Sequence, residues 1–202
     1  ASQNQLFTGT ITAAGTGANS EKITIAGDGA ITTLAGVEEY NIGDDSTNAR
    51  TVTVSNAGTS VTANSTTDAI TFNLGGLAYT GTLTGDGTVD DILGLSTGAD
   101  ISGGTITNVE ALTLASGASV TMKATQNQNF TGTITAAGTG VNGEKITITG
   151  NGAVAVLSSI ETYELGDDTT NARAMTLGSA VALNLIANNA GDTITVNATI
   201  LA

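Results

Sequence analysis

Acidic side chains are the residues of this sequence whose type and spacing are best suited to chemistry. The densest group is Asp86, Asp90 and Asp91 in the turn GDGTVDD. Carboxylate oxygens, helped by nearby backbone carbonyls, are the ligands that Ca²⁺ prefers. These three residues are therefore candidate ligands for calcium as a cofactor. The alternative is a solvated turn in which each aspartate accepts hydrogen bonds from its own backbone.

Two further acidic pairs occupy equivalent positions in two related segments of the chain. They are Asp44, Asp45, Asp167 and Asp168. Each pair is followed by an arginine, Arg50 or Arg173, and the chain contains no other arginine. We predict a local Asp–Arg bridge at each pair, with calcium binding as the second interpretation. An exposed bridge of this kind contributes only ~0–1 kcal/mol to folding.

Three glutamates share one local pattern, in which an aliphatic residue precedes the glutamate and apolar residues then alternate with others. They are Glu38, Glu110 and Glu161. If they point inward at the corner of a coil, each carboxylate needs a hydrogen bond or a metal ion. The simpler interpretation, which we favour, places them in water just before a strand begins.

The composition argues against an enzyme and against several classes of partner. The chain has no His, Cys or Trp, so the commonest general base and the thiolate chemistries are absent. It carries 18 acidic and 5 basic residues, for a net charge of −13. Nucleic acids and anionic membranes are therefore unfavourable partners, because both attract basic surfaces. The sequence shows no apolar stretch long enough for a membrane-spanning helix, so we expect no membrane insertion.

A long internal repeat organises the chain. Residues 1–50 align with residues 124–173 at a constant offset of 123, and 34 of these 50 positions are identical. We divide the sequence into a full unit at 1–123 and a partial second unit at 124–202, joined in one continuous solenoid. Such tandem repeats are typical of arrays in which each unit stacks on its neighbour.

Short strands must position the acidic turns. Apolar and Thr residues alternate with a period of two, and Gly, Asn and Asp separate the alternating segments. We find no segment with helical spacing. The pattern predicts an all-β parallel solenoid, because aromatic residues are scarce and proline is absent. Tandem antiparallel β-sandwich domains are the alternative.

A resemblance to known proteins is carried by residues 85–121, which read GDGTVDDILGLSTGADISGGTITNVEALTLASGASVT. This segment resembles repeats of type I-secreted bacterial surface proteins, including RTX-type adhesins and S-layer proteins. The resemblance implies a calcium-stabilised β-solenoid outside the cell and no particular activity. The sequence departs from the RTX pattern because it lacks tandem glycine- and aspartate-rich nonapeptides.

These observations together predict a secreted structural protein. We expect a subunit of an extracellular assembly on the bacterial cell surface, an S-layer or a filament, that self-associates into a polymer or lattice. The alternative is a repeat stalk, or binding module, of a large calcium-dependent adhesin. A cell-surface polysaccharide is a further candidate partner, and we expect no enzymatic activity.

Overall fold

The protein is a parallel β-solenoid. A computed structural model describes residues 22–26, 29–43, 50–136, 143–166, 172–177, 184–187 and 193–198. All strand pairs within these ranges are parallel, and nearly all of the regular structure is β-strand. The predicted solenoid is therefore confirmed, and the antiparallel sandwich is excluded for the described residues.

The first half of the solenoid is built from two sheets, to which the chain contributes strands alternately. The first sheet contains β1 (Lys22–Ile25), β3 (Glu39–Ile42), β5 (Ser60–Ala63), β7 (Thr82–Thr84) and β9 (Thr105–Thr107). The second sheet contains β2 (Ile31–Thr32), β4 (Arg50–Thr53), β6 (Ile70–Gly75), β8 (Ile92–Leu95), β10 (Ala111–Leu114) and β12 (Ile134–Ala136). Each strand thus pairs with the strand two places later, so that one coil stacks on the next.

The second half uses two other sheets. The third sheet contains β11 (Ser119–Lys123), β13 (Lys145–Thr149), β15 (Thr162–Leu165) and β17 (Asn184–Ala187). The fourth contains β14 (Gly152–Ala155), β16 (Ala172–Leu177) and β18 (Thr193–Ala198). The pairs β10–β12 and β11–β13 each join a strand from before residue 124 to one after it. Backbone hydrogen bonding therefore continues from the first repeat unit into the second.

Within the described residues, one short helix interrupts the strands, where the sequence predicted none. It is α1 (Ala124–Asn127), and it follows β11 directly. The amide of Lys123 donates to the side-chain oxygen of Gln126 over 2.8 Å, which caps the start of the helix. A helix of four residues makes a single turn, too short to show the apolar spacing of a longer helix. The absence of helical spacing in the sequence therefore gave no sign of this turn.

The core consists of apolar side chains stacked in register along the solenoid. Inward columns run through Tyr40, Val61, Leu83 and Ile106 in the first sheet and Val52, Phe72, Leu93 and Leu112 in the second. The residues between them in each strand, mostly Thr, face outward, because successive side chains of a strand point to opposite faces. The alternation of apolar residues with Thr in the sequence therefore produces a narrow apolar core and a polar surface.

Candidate functional site

A fully buried aspartate links three successive coils at the corner that precedes β8. One carboxylate oxygen of Asp91 accepts the amide of Ile70 over 2.6 Å, and the other accepts the amide of Asp86 over 3.1 Å. The carbonyl of Asp91 accepts the amides of Glu110 and Ala111 from the following coil, over 3.1 and 2.9 Å. Asp91 thus satisfies backbone donors that the ends of the strands would otherwise leave unpaired.

The surroundings of this carboxylate favour its neutral form. Burial raises the pKa of Asp91 to about 6, and the two amide hydrogen bonds only partly oppose that rise. The nearby carboxylates of Asp86 and Glu110 raise the pKa further, because like charges disfavour ionisation. Asp91 is therefore mostly protonated at pH 5 and mostly ionised above pH 7.

The two neighbouring acids each carry a buried oxygen that has no hydrogen-bond partner. In Asp86, Oδ1 accepts the amide and the hydroxyl of Thr88 over 2.7 and 3.0 Å, whereas Oδ2 is buried and unpaired. In Glu110, Oε2 is likewise buried without a partner. Buried carboxylate oxygens need a donor or a cation. Asp86, Asp91 and Glu110 form what we call the corner carboxylate cluster.

A glycine makes the close packing at this corner possible. A Cβ atom added to Gly85 would lie 1.8 Å from the carbonyl oxygen of Asn108 and 2.3 Å from Oδ2 of Asp91. Both distances are far below a van der Waals contact, so no side chain fits between these coils. The glycine of the predicted Asp-rich turn therefore lets the backbone approach the buried carboxylate.

The structure separates the three aspartates that the sequence grouped together. Asp86 and Asp91 are in direct contact, but Asp90 is exposed, and its carboxylate lies beside Gly132, where an added Cβ would be 2.6 Å from Oδ2. The corner carboxylate cluster instead includes Glu110, which is half-buried. Sequence reasoning favoured a solvated position for this glutamate, since nothing in its own segment shows which coil lies beneath it.

A second pair of acids is formed by Glu144, which the sequence did not single out, and Glu161, which we expected to lie in water but which is half-buried. Glu144 is completely buried, and its Oε1 accepts the amide of Gly117 over 3.2 Å, while its Oε2 has no partner. The amide of Glu144 donates to Oε2 of Glu161 over 3.0 Å. Burial first, and then the adjacent Glu144 carboxyl, raise the pKa of Glu161. The only sequence signal was the recurrence of EKITI, which reads as a charged lead into a strand.

The remaining acidic candidates fall outside the described residues. They are Asp44, Asp45, Asp167 and Asp168. Arg50, which follows the first pair in the sequence, is 1% exposed and donates through Nη2 to the carbonyl of Gly43. Its Nε and Nη1 atoms are buried without a hydrogen-bond partner. The predicted Asp–Arg bridge therefore remains a prediction.

Comparison with known proteins identifies no relative. No protein-family model, no curated protein and no solved structure matches the chain. In the part of the chain that the structure describes, no three side chains of the metal-binding types lie close enough together to hold an ion. Within the same residues, no helix is both long and apolar enough to cross a bilayer.

Proposed function

We propose that this protein is a structural subunit of a bacterial extracellular assembly, an S-layer or surface filament built by β-solenoid stacking. The observation that supports this proposal best is the continuity of backbone pairing between the repeat units, through β10–β12 and β11–β13. A solenoid whose units join by strand pairing can be lengthened without a change in its internal contacts. The proposal includes no enzymatic activity.

The charge of the protein fits an assembly that depends on a divalent cation. With a net charge of −13, neighbouring rods repel each other at neutral pH. Calcium between carboxylates reduces this repulsion, and its concentration outside cells suits modules with a Kd of roughly 10⁻⁴–10⁻³ M. We therefore place the protein at the bacterial cell surface, with calcium as its cofactor.

The corner carboxylate cluster is the calcium site that we propose within the described residues. Asp86, Asp91 and Glu110 offer the carboxylate oxygens that calcium prefers, and two of these oxygens lack a partner. The three side chains do not converge as they stand, so binding must draw Asp86 and Glu110 toward Asp91. Calcium would offset the like charges that raise the pKa of Asp91.

Thermal unfolding in calcium and in EDTA tests this site. We expect roughly 10 mM calcium to stabilise the protein by about 1–3 kcal/mol at pH 7.5, and by much less at pH 5, where Asp91 is protonated. Glu110→Gln and Asp86→Asn should each reduce the response. Asp90→Asn is the matched control, since Asp90 is exposed, and it should keep the full response. An identical melting temperature in EDTA and in calcium at pH 7.5 would rule out the site.

Electron microscopy of the purified protein tests the assembly itself. We expect sheets or fibres in calcium and their dispersal in EDTA. Single rods in both conditions, even at high protein concentration, would contradict the proposed subunit role.

The second candidate is a repeat stalk of a large calcium-dependent adhesin. The same continuous strand pairing favours it, because a long stack of coils would hold a binding domain at a distance from the cell. A stalk would remain monomeric in calcium while becoming more resistant to proteolysis. Sedimentation velocity separates the two candidates, since a subunit forms large species in calcium and a stalk does not. Binding to purified cell-surface polysaccharide would identify the adhesin's partner.

A further inference from the structure

Two glutamates stand side by side at the start of the third sheet. The register of Lys145 with Thr162 places Glu144 next to Glu161 on the following coil. Each glutamate lies two residues before a buried strand residue, and side chains alternate along a strand, so both share the inward face. The same register places Ala118, which is buried, beside Glu144 on the preceding coil. An inward column with an apolar side chain on one coil therefore carries two acids on the next two coils.

The two carboxyl groups of this pair lie within hydrogen-bonding reach of each other. The amide of Gly117 donates to Oε1 of Glu144 over 3.2 Å, and the amide of Glu144 donates to Oε2 of Glu161 over 3.0 Å. The side chain of Glu144 is 0% exposed, and its Oε2 has no hydrogen-bond partner among the described residues. A buried carboxylate oxygen needs a donor or a cation, and here no donor reaches it.

The neighbouring lysine does not neutralise this pair. Lys145 follows Glu144 directly, but its side chain lies on the outward side of β13, where it pairs with Glu164. Like charges that face each other on adjacent strands are destabilising. The two stacked carboxylates therefore repel each other at neutral pH unless another positive charge lies between them.

The pair is open to solvent at one end. Glu161 is half-buried, whereas Glu144 is closed off completely. The coil that carries Glu144 approaches Glu161 closely at a glycine, since an added Cβ at Gly143 would lie 2.8 Å from Cβ of Glu161. An ion could therefore reach the buried oxygen of Glu144 past the carboxylate of Glu161, and it could keep water molecules on its outer side.

We propose that Glu144 and Glu161 bind a hydrated divalent cation that bridges two coils of the third sheet. Oε2 of Glu144 and the carboxylate of Glu161 supply the protein ligands. Two carboxylates are enough, because calcium and magnesium both accept water in the remaining positions. This site is separate from the corner carboxylate cluster, which lies before β8 and β10. The inference goes beyond the proposed function, since a cation here stabilises a single rod whether or not rods assemble.

Two backbone amides report directly on this site. They are the amides of Gly117 and Glu144, each of which is bonded to one carboxylate of the pair. Their NMR chemical shifts are followed at pH 7.5 while calcium chloride is added to the full 202-residue chain. Magnesium chloride, and sodium chloride at equal ionic strength, are added in parallel titrations. We expect both amides to follow one saturating curve, with a Kd of roughly 10⁻⁴–10⁻³ M for the tighter divalent ion, and to stay unmoved in sodium.

A matched pair of variants tests the ligands. Glu161→Gln removes one of the two charges and should weaken binding by at least about 10-fold, because affinity depends on the number of charged ligands. Glu38→Gln makes the same change at the equivalent, exposed position of the first copy, and it should leave the titration unchanged. The amides of β13 and β15 in the same spectra show that each variant is folded.

Glu144→Gln gives a result that a purely structural role would not. The glutamine keeps an acceptor for Gly117 and adds an N–H donor that Glu161 can accept, so it replaces the cation. Melting temperatures are compared in a background in which Asp86→Asn and Glu110→Gln disable the corner carboxylate cluster. We expect Glu144→Gln to raise the melting temperature in EDTA and to abolish the further rise in calcium. An equal rise in calcium with and without this substitution would contradict the proposal.

Amides of Gly117 and Glu144 that stay unmoved in both divalent ions would overturn the proposal, as would shifts that sodium reproduces or that survive Glu161→Gln. The corner carboxylate cluster has reporters of its own, the amides of Ile70 and Asp86, which are bonded to Asp91. Shifts confined to Ile70 and Asp86 would count against this second site alone. Shifts confined to Gly117 and Glu144 would count only against the calcium site of the proposed function.

Discussion

The two copies of the repeat place nearly the same sequence on different neighbours. In the first copy, β1 and β3 belong to a five-stranded sheet that ends at β9. In the second copy, the equivalent strands β13 and β15 follow β11, so their sheet begins in the first repeat unit. Features that survive this change depend on the local sequence, and features that differ depend on the adjacent coil.

A tyrosine that closes the turn before its strand is common to both copies. The hydroxyl of Tyr40 accepts the amide of Leu34 over 2.7 Å. The hydroxyl of Tyr163 accepts the amide of Leu157 over 2.9 Å and donates to the carbonyl of Ala155 over 3.2 Å. Both rings are fully buried. This turn is therefore encoded within each copy.

The glutamate two residues before the shared tyrosine behaves differently in the two copies. Glu38 is exposed, whereas Glu161 is half-buried and accepts the amide of the fully buried Glu144. The sequence around both glutamates is similar, so the environment comes from the neighbouring coil. The comparison teaches that similar motifs in a solenoid are not equivalent sites.

Removing the tyrosine hydroxyls should give the largest effect. We expect Tyr163→Phe to lower the free energy of unfolding by about 2–3 kcal/mol, because it loses two hydrogen bonds and leaves a buried amide unpaired. Tyr40→Phe loses the bond to Leu34 and should cost about 1–2 kcal/mol. Urea unfolding of both variants measures the difference, and a larger cost at Tyr40 than at Tyr163 would contradict this count of hydrogen bonds.

Replacing Glu161 and Glu38 by glutamine should change the pH dependence of stability differently in the two copies. The pKa of Glu161 is raised in the folded protein, so the folded state binds this proton more tightly than the unfolded chain does. The resulting stabilisation is present below the ordinary glutamate pKa and is lost as the pH rises through the folded value. Glu161→Gln should therefore raise stability at pH 7–8, by no more than about 1 kcal/mol because solvent screens a half-buried carboxylate, and flatten its pH dependence.

The control for this pH effect is Glu38→Gln in the first copy. Glu38 is exposed, and we expect its replacement to change stability at pH 7 by less than about 0.5 kcal/mol. Matching pH profiles for the two variants would contradict the role of the neighbouring coil.

A turn residue with positive φ gives the third test. Gly36 has φ +80°, and its counterpart Ser159 has φ +62°, a conformation that disfavours residues with a Cβ atom. We expect Ser159→Gly to stabilise the protein by about 1 kcal/mol and Gly36→Ser to destabilise it by a similar amount. Differential scanning calorimetry should show a higher melting temperature for Ser159→Gly and a lower one for Gly36→Ser. Shifts of the same sign would contradict this prediction.

The surface ion pairs should give the smallest effect. Lys22 pairs with Glu39 over 2.7 Å, and Lys145 pairs with Glu164 in a less exposed position. We expect Lys145→Met to cost up to about 1 kcal/mol and Lys22→Met about half of that, with both effects reduced in high salt. Thermal unfolding at low and high salt measures both stability costs. Equal costs for the two variants would show that the burial of an ion pair does not determine its contribution.

Most of the strands could be predicted because their pattern is local. The strands β9, which reads TIT, and β10, which reads ALTL, both show the alternation from which the sequence predicts strands. Alternation of Thr with apolar residues reports which side of a strand is buried, whatever lies next to it. The single turn of α1 escaped prediction, because its stability comes from side-chain amides bonded to coils on both sides.

The candidate site was only partly predictable. The Asp-rich turn contains Asp86 and Asp91, which do meet, but Glu110 reaches them from the next coil and Glu144 lies under a different one. The amount of chain between stacked neighbours varies: Lys22 pairs with Glu39, whereas Ser119 pairs with Lys145. Spacing along the sequence therefore does not show which carboxylates become neighbours.

By itself, the sequence determined the β-solenoid, its turns, its outward polar face and its internal repeat, since each arises from short-range alternation or direct identity. The tertiary structure alone decided which acids are buried, how α1 replaces a strand and which surface joins the two units. The physical reason is that cross-coil contacts depend on the length of every intervening loop. Burial, which raises the pKa of Asp91 to about 6, exists only after those coils have stacked.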